Sequence, residues 1–134
     1  MKLRLRENSL RLRLQQKEVS MLIHEGYVTE IVQFGPLDLD RLVYTVECSS
    51  EVATLEASID KNIVRILVPQ LMANQWADSA AVSLSHEQRL PKEKTLKILI
   101  EKDFKCISPN RIWSEDESDA FPNPNPSCGG KAQT

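Results

Sequence analysis

The sequence predicts an α+β domain: a curved, mainly antiparallel sheet, open or partly closed, with two short helices and an extended C-terminal strap. Three observations lead there. Apolar and charged residues alternate with period two through the first fourteen positions and again in later segments. Most of these segments are joined by short connections, which selects antiparallel neighbours. Two other segments space their apolar residues as a helix does.

The chain opens MKLRLRENSLRLRL. Lys2 to Arg6 and Leu10 to Leu14 alternate strictly, with the turn formers Glu7-Asn8-Ser9 between them, so they form a hairpin. Leu3, Leu5, Leu10, Leu12 and Leu14 fall on its core side. Lys2, Arg4, Arg6, Arg11 and Arg13 share the other face. A one-residue slip would exchange the two rows, so the register is firmly set.

Gln15 to Glu25 carries Val19, Leu22 and Ile23 at helical spacing, and Gly26 stands where a left-handed C-cap belongs. Tyr27 to Phe34 returns to strand composition, and Gly35-Pro36 ends it. A strand through Leu42, Tyr44, Val46 and Cys48 follows. Val52 to Ile59 and Ile63 to Val68 make a second hairpin around Asp60-Lys61-Asn62. Pro69 opens a short helix with Leu71, Met72 and Trp76 on one face, ending near Ser79. Val82 to Leu90 and Leu96 to Lys102 make a third hairpin around Pro91-Lys92-Glu93. No internal repeat is legible in the residues.

From residue 103 the character changes. Pro109, Pro122, Pro124 and Pro126 exclude helix and central strand. Glu115, Asp116, Glu117 and Asp119 form an acidic cluster, yet Phe104, Ile107, Ile112, Trp113 and Phe121 are scattered through the segment. Large apolar groups gain about 1.5–3 kcal/mol each on burial. The expected organisation is therefore a domain over residues 1–102, an acidic, proline-rich strap over 103–126 anchored by Trp113 and Phe121, and a flexible end over 127–134.

The chain of 134 residues is long enough for one modest core. Its net charge of −2 gives no general attraction to nucleic acid or an anionic membrane. The charge is unevenly placed, however. Residues 1–17 hold six cations against Glu7, whereas residues 18–102 hold eight cations against thirteen carboxylates. No apolar run reaches the roughly 18–20 residues that cross a bilayer. The cationic start lacks the apolar stretch of a secretory signal. Three cysteines, Cys48, Cys106 and Cys128, fit free thiols in a reducing compartment. The expected location is the cytoplasm.

The pattern K-L-R-L-R…S-L-R-L-R-L, E-G-Y-V after the first helix, E-K-D-F at 101–104 and E-D-E-S-D-A-F-P-N-P at 115–124 resembles a family of short, uncharacterised bacterial proteins. The resemblance covers nearly the whole chain. It implies no catalytic or binding residue, and it implies that the acidic tail belongs with the domain.

The cationic row is the strongest chemical feature. Alternate strand residues stand roughly 6.6–7 Å apart on one face. Like charges opposite one another across a hairpin destabilise it, so solvent, local carboxylates or an anionic ligand must offset them. Guanidinium forks suit phosphate. Nucleic acid is disfavoured, because no aromatic row interleaves the cations. The acidic strap, through Glu115, Asp116, Glu117 and Asp119, is an internal candidate to cover the row. The function expected is a non-enzymatic binding or interaction module, with no cofactor.

The alternative is a phosphate-handling enzyme. Glu47, Glu56 and Glu101 on strands, with the basic row, are similar in charge layout to the triphosphate-tunnel phosphatases. Those enzymes begin E-x-E-x-K where this chain has K-L-R-L-R, which removes the metal-binding carboxylates. Cys106, Cys128, His24 and His86 show no local pair of zinc-ligand spacing, so no metal site is expected.

Overall fold

The structure is a computed structural model that describes residues 1–104 and, further on, residues 119, 121, 122 and 124. The opening alternation forms β1 (Lys2–Arg6) and β2 (Ser9–Leu14), paired antiparallel across the Glu7-Asn8 turn. α1 (Gln16–Glu25) follows, with a capping box in which the Glu18 carboxylate accepts from the Gln15 amide at 2.9 Å. It ends on Gly26 at φ 91°, a left-handed cap whose amide donates to the Leu22 carbonyl. Then come β3 (Tyr27–Gln33), β4 (Arg41–Ser49), β5 (Glu56–Asp60), β6 (Ile63–Pro69), α2 (Gln70–Ala77), β7 (Ser83–Leu90) and β8 (Lys94–Lys102). Lys61 and Asn62, like Lys92 and Glu93, have positive φ. Those two turns therefore match the right-handed twist of their strands.

The strands form two four-stranded sheets, β1-β2-β8-β7 and β3-β4-β6-β5, and neither is closed into a barrel. Four pairings are antiparallel. The central pairs β2–β8 and β4–β6 are parallel, so pairing is mainly antiparallel, as expected, but divided between two sheets. The fifth strand begins at Glu56 instead of Val52, because the chain bends at residues 53 and 54 and Leu55 turns into the core. One core serves both sheets and both helices. Leu10, Leu12, Leu14, Ile98 and Ile100 enter it from the first sheet, Val28, Val46, Ile66 and Val68 from the second, Leu22 and Trp76 from the helices. Gln88 of β7 joins the two sheets, donating to the Ala57 carbonyl at 3.0 Å and accepting its amide at 2.7 Å.

The topology contains an internal repeat that the residues alone conceal. Each half of the chain reads strand–strand–helix–strand–strand, one hairpin going to each sheet. Adding 54 to a β2 position gives its β6 counterpart, and β4 stands in the same relation to β8. The parallel pair Ser9–Lys97 thus maps onto Ile63–Val43, and Arg13–Glu101 onto Leu67–Glu47. The hydrogen bond from the Lys97 amide to the Asn8 carbonyl recurs from Val43 to Asn62. β7 is displaced by two residues relative to β3: Ser83 faces Glu101 where Tyr27 faces Glu47. Few residues coincide (Asn8 and Asn62, Arg11 and Arg65, Gln16 and Gln70, Leu42 and Leu96, Glu47 and Glu101).

Met1–Asp103 form one compact unit. In the second unit, Phe104–Thr134, the described residues Phe104, Asp119, Phe121, Pro122 and Pro124 are exposed.

Candidate functional site: the cationic face of the first sheet

Register fixes which side chains share the outer face of the first sheet. Across the hairpin Lys2 stands opposite Arg13, Arg4 opposite Arg11 and Arg6 opposite Ser9, with the leucines in the alternate pairs. The structure therefore brings Lys2, Arg4, Arg6, Arg11 and Arg13 together on one face. The parallel neighbour β8 adds Lys97 beside Ser9, Leu99 beside Arg11 and Glu101 beside Arg13. β7 completes the row with Glu87, Ser85 and Ser83. Leu99 is fully buried although it points away from the core cluster.

The cations differ sharply in environment. Arg11 is 7% exposed and Glu101 4%. The Arg11 Nε donates to Glu101 Oε1 at 2.7 Å, and the Arg13 Nε donates to the same oxygen at 2.7 Å. Asp103 continues the parallel ladder through its amide on the Leu14 carbonyl, at 2.8 Å. Its carboxylate meets the Lys2 ammonium at 3.2 Å and the Arg13 guanidinium at 4.0 Å. Two carboxylates at the end of β8 thus offset part of the like-charge row. Arg4 and Arg6 are exposed at the surface and are engaged as well. Sequence reasoning missed this role of Glu101 and Asp103. Their signal was weak, since the partners lie about ninety residues from the hairpin and meet it only through a parallel pairing.

The repeat separates structure from function here. Arg65 and Glu47, the counterparts of Arg11 and Glu101, form the same ion pair on the second sheet, Nε to Oε2 at 3.0 Å. An arginine–glutamate tie across the central parallel strands is therefore common to both halves. Lys2, Arg4, Arg6 and Arg13 have no such echo. Their counterparts are Glu56, Ser58, Asp60 and Leu67. The surplus of positive charge belongs to one half alone.

Of the acidic strap residues, Asp119 is exposed; Glu115, Asp116 and Glu117 lie outside the described residues, as does Trp113. Phe121 is 95% exposed. Cys106 and Cys128 also lie outside them. Cys48 is a free thiol whose pKa is raised by burial, and it donates to the Leu22 carbonyl at 3.6 Å, the opposite of an activated nucleophile. The carboxylates that invited comparison with a phosphatase tunnel are spread apart: Glu101 is held by two arginines, Glu47 by Arg65, and Glu56 sits exposed on β5 of the other sheet. Among the described residues no cluster of three or more His, Cys, Asp or Glu is arranged to hold a metal. No helix among them is long and apolar enough to cross a membrane.

A family model described as a family of unknown function, DUF7009, matches residues 1–125. No curated protein and no solved structure matches the chain.

Proposed function

The chain belongs to the family of unknown function DUF7009, and from that premise we propose that it is a binding module whose first hairpin takes up an anionic group on its outer face. The observation that carries this is the charge on one sheet face. Lys2, Arg4, Arg6, Arg11 and Arg13 are gathered by register, while Glu101 and Asp103 supply two carboxylates against them. Leu99, beside Arg11 in the same row, is buried, so the Arg11 end of this face is shielded from water while Lys2, Arg4 and Arg6 remain exposed. Arg11 serves as the structural tie; Lys2, Arg4, Arg6 and Arg13 meet the anion. Guanidinium forks suit carboxylate and phosphate alike.

The anionic group has two sources with one chemistry: the chain's own Glu115, Asp116, Glu117 and Asp119, or a separate phosphate-bearing ligand. Thermal-shift titration with inorganic tripolyphosphate distinguishes them, using the full chain and a variant carrying Glu115→Gln, Asp116→Asn, Glu117→Gln and Asp119→Asn. A ligand from outside stabilises both proteins equally. A self-supplied anion leaves the native chain silent and lets the neutralised variant respond. Either response is expected to fall at high salt and to be lost with Arg4→Gln/Arg6→Gln. A flat titration in both proteins overturns the assignment.

A further inference from the structure

The two hairpins that the repeat relates each end a sheet, with β1 at one edge of the first and β5 at one edge of the second. Each turns through two residues, Glu7-Asn8 and Lys61-Asn62, so the flanking pairs Arg6–Ser9 and Asp60–Ile63 are the hydrogen-bonded ones. Alternation then aims the main-chain N–H and C=O of Leu3 and Leu5, and those of Ala57 and Ile59, away from the sheet.

The two edges are treated differently. On β5 the Gln88 side chain engages both main-chain groups of Ala57, at 2.7 and 3.0 Å. Gln88 stands opposite Leu96; Leu42, the counterpart of Leu96, stands opposite Val32. Valine therefore fills the corresponding place on β3, and its side chain can neither donate nor accept. Just before β1, the Met1 carbonyl accepts from the Tyr44 hydroxyl at 3.3 Å. Beyond it, among the described residues, no hydrogen bond reaches the outward groups of Leu3 or Leu5. An edge in this condition is a template for one more strand.

The side chains of β1 select that strand. An added strand lies about 4.8 Å away and alternates in step with β1. On one face its residues come beside Lys2, Arg4 and Arg6, and on the other beside Leu3 and the exposed Leu5. Cations along an edge discourage neutral and basic strands and suit carboxylates. Lys2 already meets Asp103, and Arg4 and Arg6 are engaged. Incoming carboxylates exchange for those contacts, and the main-chain bonds supply the gain. The fitting segment alternates carboxylates with apolar residues over about five positions. The chain's own acidic run does not, since Asp116 and Ser118 fall between Glu115, Glu117 and Asp119. β5 comes near it, with Glu56 and Asp60 on one face and Ala57 and Ile59 on the other, but Gln88 holds its edge and disfavours a second copy as the partner. We propose that the outer edge of β1 takes up, by strand addition, an extended segment of another protein in which carboxylates alternate with apolar residues, a partner class that rests on the anion-binding reading of the same face.

The probe is the acetylated, amidated peptide Glu-Val-Glu-Val-Glu, titrated into the full chain with its four strap carboxylates neutralised and followed by NMR amide hydrogen exchange. Exchange at Leu3 and Leu5 is expected to slow about tenfold or more at saturation, with Ile59, the counterpart of Leu5, unchanged. Inorganic tripolyphosphate is expected to bind without slowing either amide. The same peptide with every backbone nitrogen methylated keeps its carboxylates and can donate nothing to the edge, and it is expected to bind about tenfold or more weakly. A methylated peptide that binds as well as its parent, or a parent peptide that leaves Leu3 and Leu5 unslowed, overturns strand addition while the anion site stands. So does silence toward the peptide where tripolyphosphate binds; silence toward both overturns the anion site as well. Leu3 and Leu5 amides protected in the native chain and released by neutralising the strap would make the chain's own segment the occupant and overturn the assignment to another protein.

Discussion

Replacing Glu101 by alanine is expected to destabilise the folded chain by about 3–5 kcal/mol, the usual consequence of removing one partner of a buried ion pair. Arg11 would be left buried, having lost the carboxylate that receives its Nε, and Arg13 would lose the same acceptor. Glu47→Ala removes the equivalent carboxylate on the second sheet. There the pair with Arg65 is roughly one-third exposed, with side-chain exposures of 40% and 32%, so the expected loss is about 0–1 kcal/mol. Two residues in equivalent places thus give losses of very different size because solvent reaches one and not the other. Arg11→Leu/Glu101→Leu is expected to recover most of the loss, since a buried pair exchanged for apolar groups is often neutral. Urea denaturation checks all three: the midpoint moves and the slope does not. A Glu101→Ala protein as stable as Glu47→Ala would show that burial of the tie is inconsequential.

Trp76→Ala is the second large effect, expected to cost about 3–5 kcal/mol by leaving a cavity. Trp76 is 2% exposed and sits in α2 where Leu22 sits in α1, 54 positions earlier. The two helices touch, and these two side chains carry them into the shared core. The indole also donates to the Val82 carbonyl at 3.1 Å, and the Lys102 ammonium lies 5.6 Å over its ring. Trp76→Phe keeps most of the volume and loses the hydrogen bond and part of the cation attraction, so a smaller loss of about 1–2 kcal/mol is expected. The same denaturation series measures both. Equal losses for Phe and Ala would place the importance of Trp76 in its indole nitrogen and not in its volume.

What was legible in the residues was local. Strict alternation in MKLRLRENSLRLRL carried the hairpin, its register and its two rows, since a one-residue slip would exchange the rows; Leu5, expected on the core side, is 65% exposed because it sits near the turn on the edge strand β1, outside the core cluster. Gly26 marked the end of α1, where a left-handed residue was required. The parallel pairings were not legible. β2 meets β8 across almost the whole chain, and nothing in either strand's composition encodes a partner that distant. The repeat was hidden for a related reason: a half conserves pattern and register while its side chains drift, so Arg13 faces Leu67 in the alignment and Lys2 faces Glu56. For the same reason Arg11 looked equal to its neighbours in sequence, whereas its counterpart Arg65 identifies it as a structural residue. Gly35-Pro36 marked the end of β3 and residues 37–40 read as loop; how that loop is held was not legible, since it depends on the hydrogen bonds of Gln33, Asp40 and Asn62.

The most direct test of the cationic face is a backbone-amide NMR titration of the chain with its four strap carboxylates neutralised, using inorganic tripolyphosphate. The second sheet serves as a control built into the molecule, since β5 and β6 repeat the β1–β2 hairpin with Arg65 in place of Arg11 but none of the other four cations. Shifts concentrated in Lys2–Arg6 and around Arg13, with the β5–β6 amides unmoved, are expected. Shifts of equal size in both hairpins, or none in the first, would contradict the claim that this face takes up an anion.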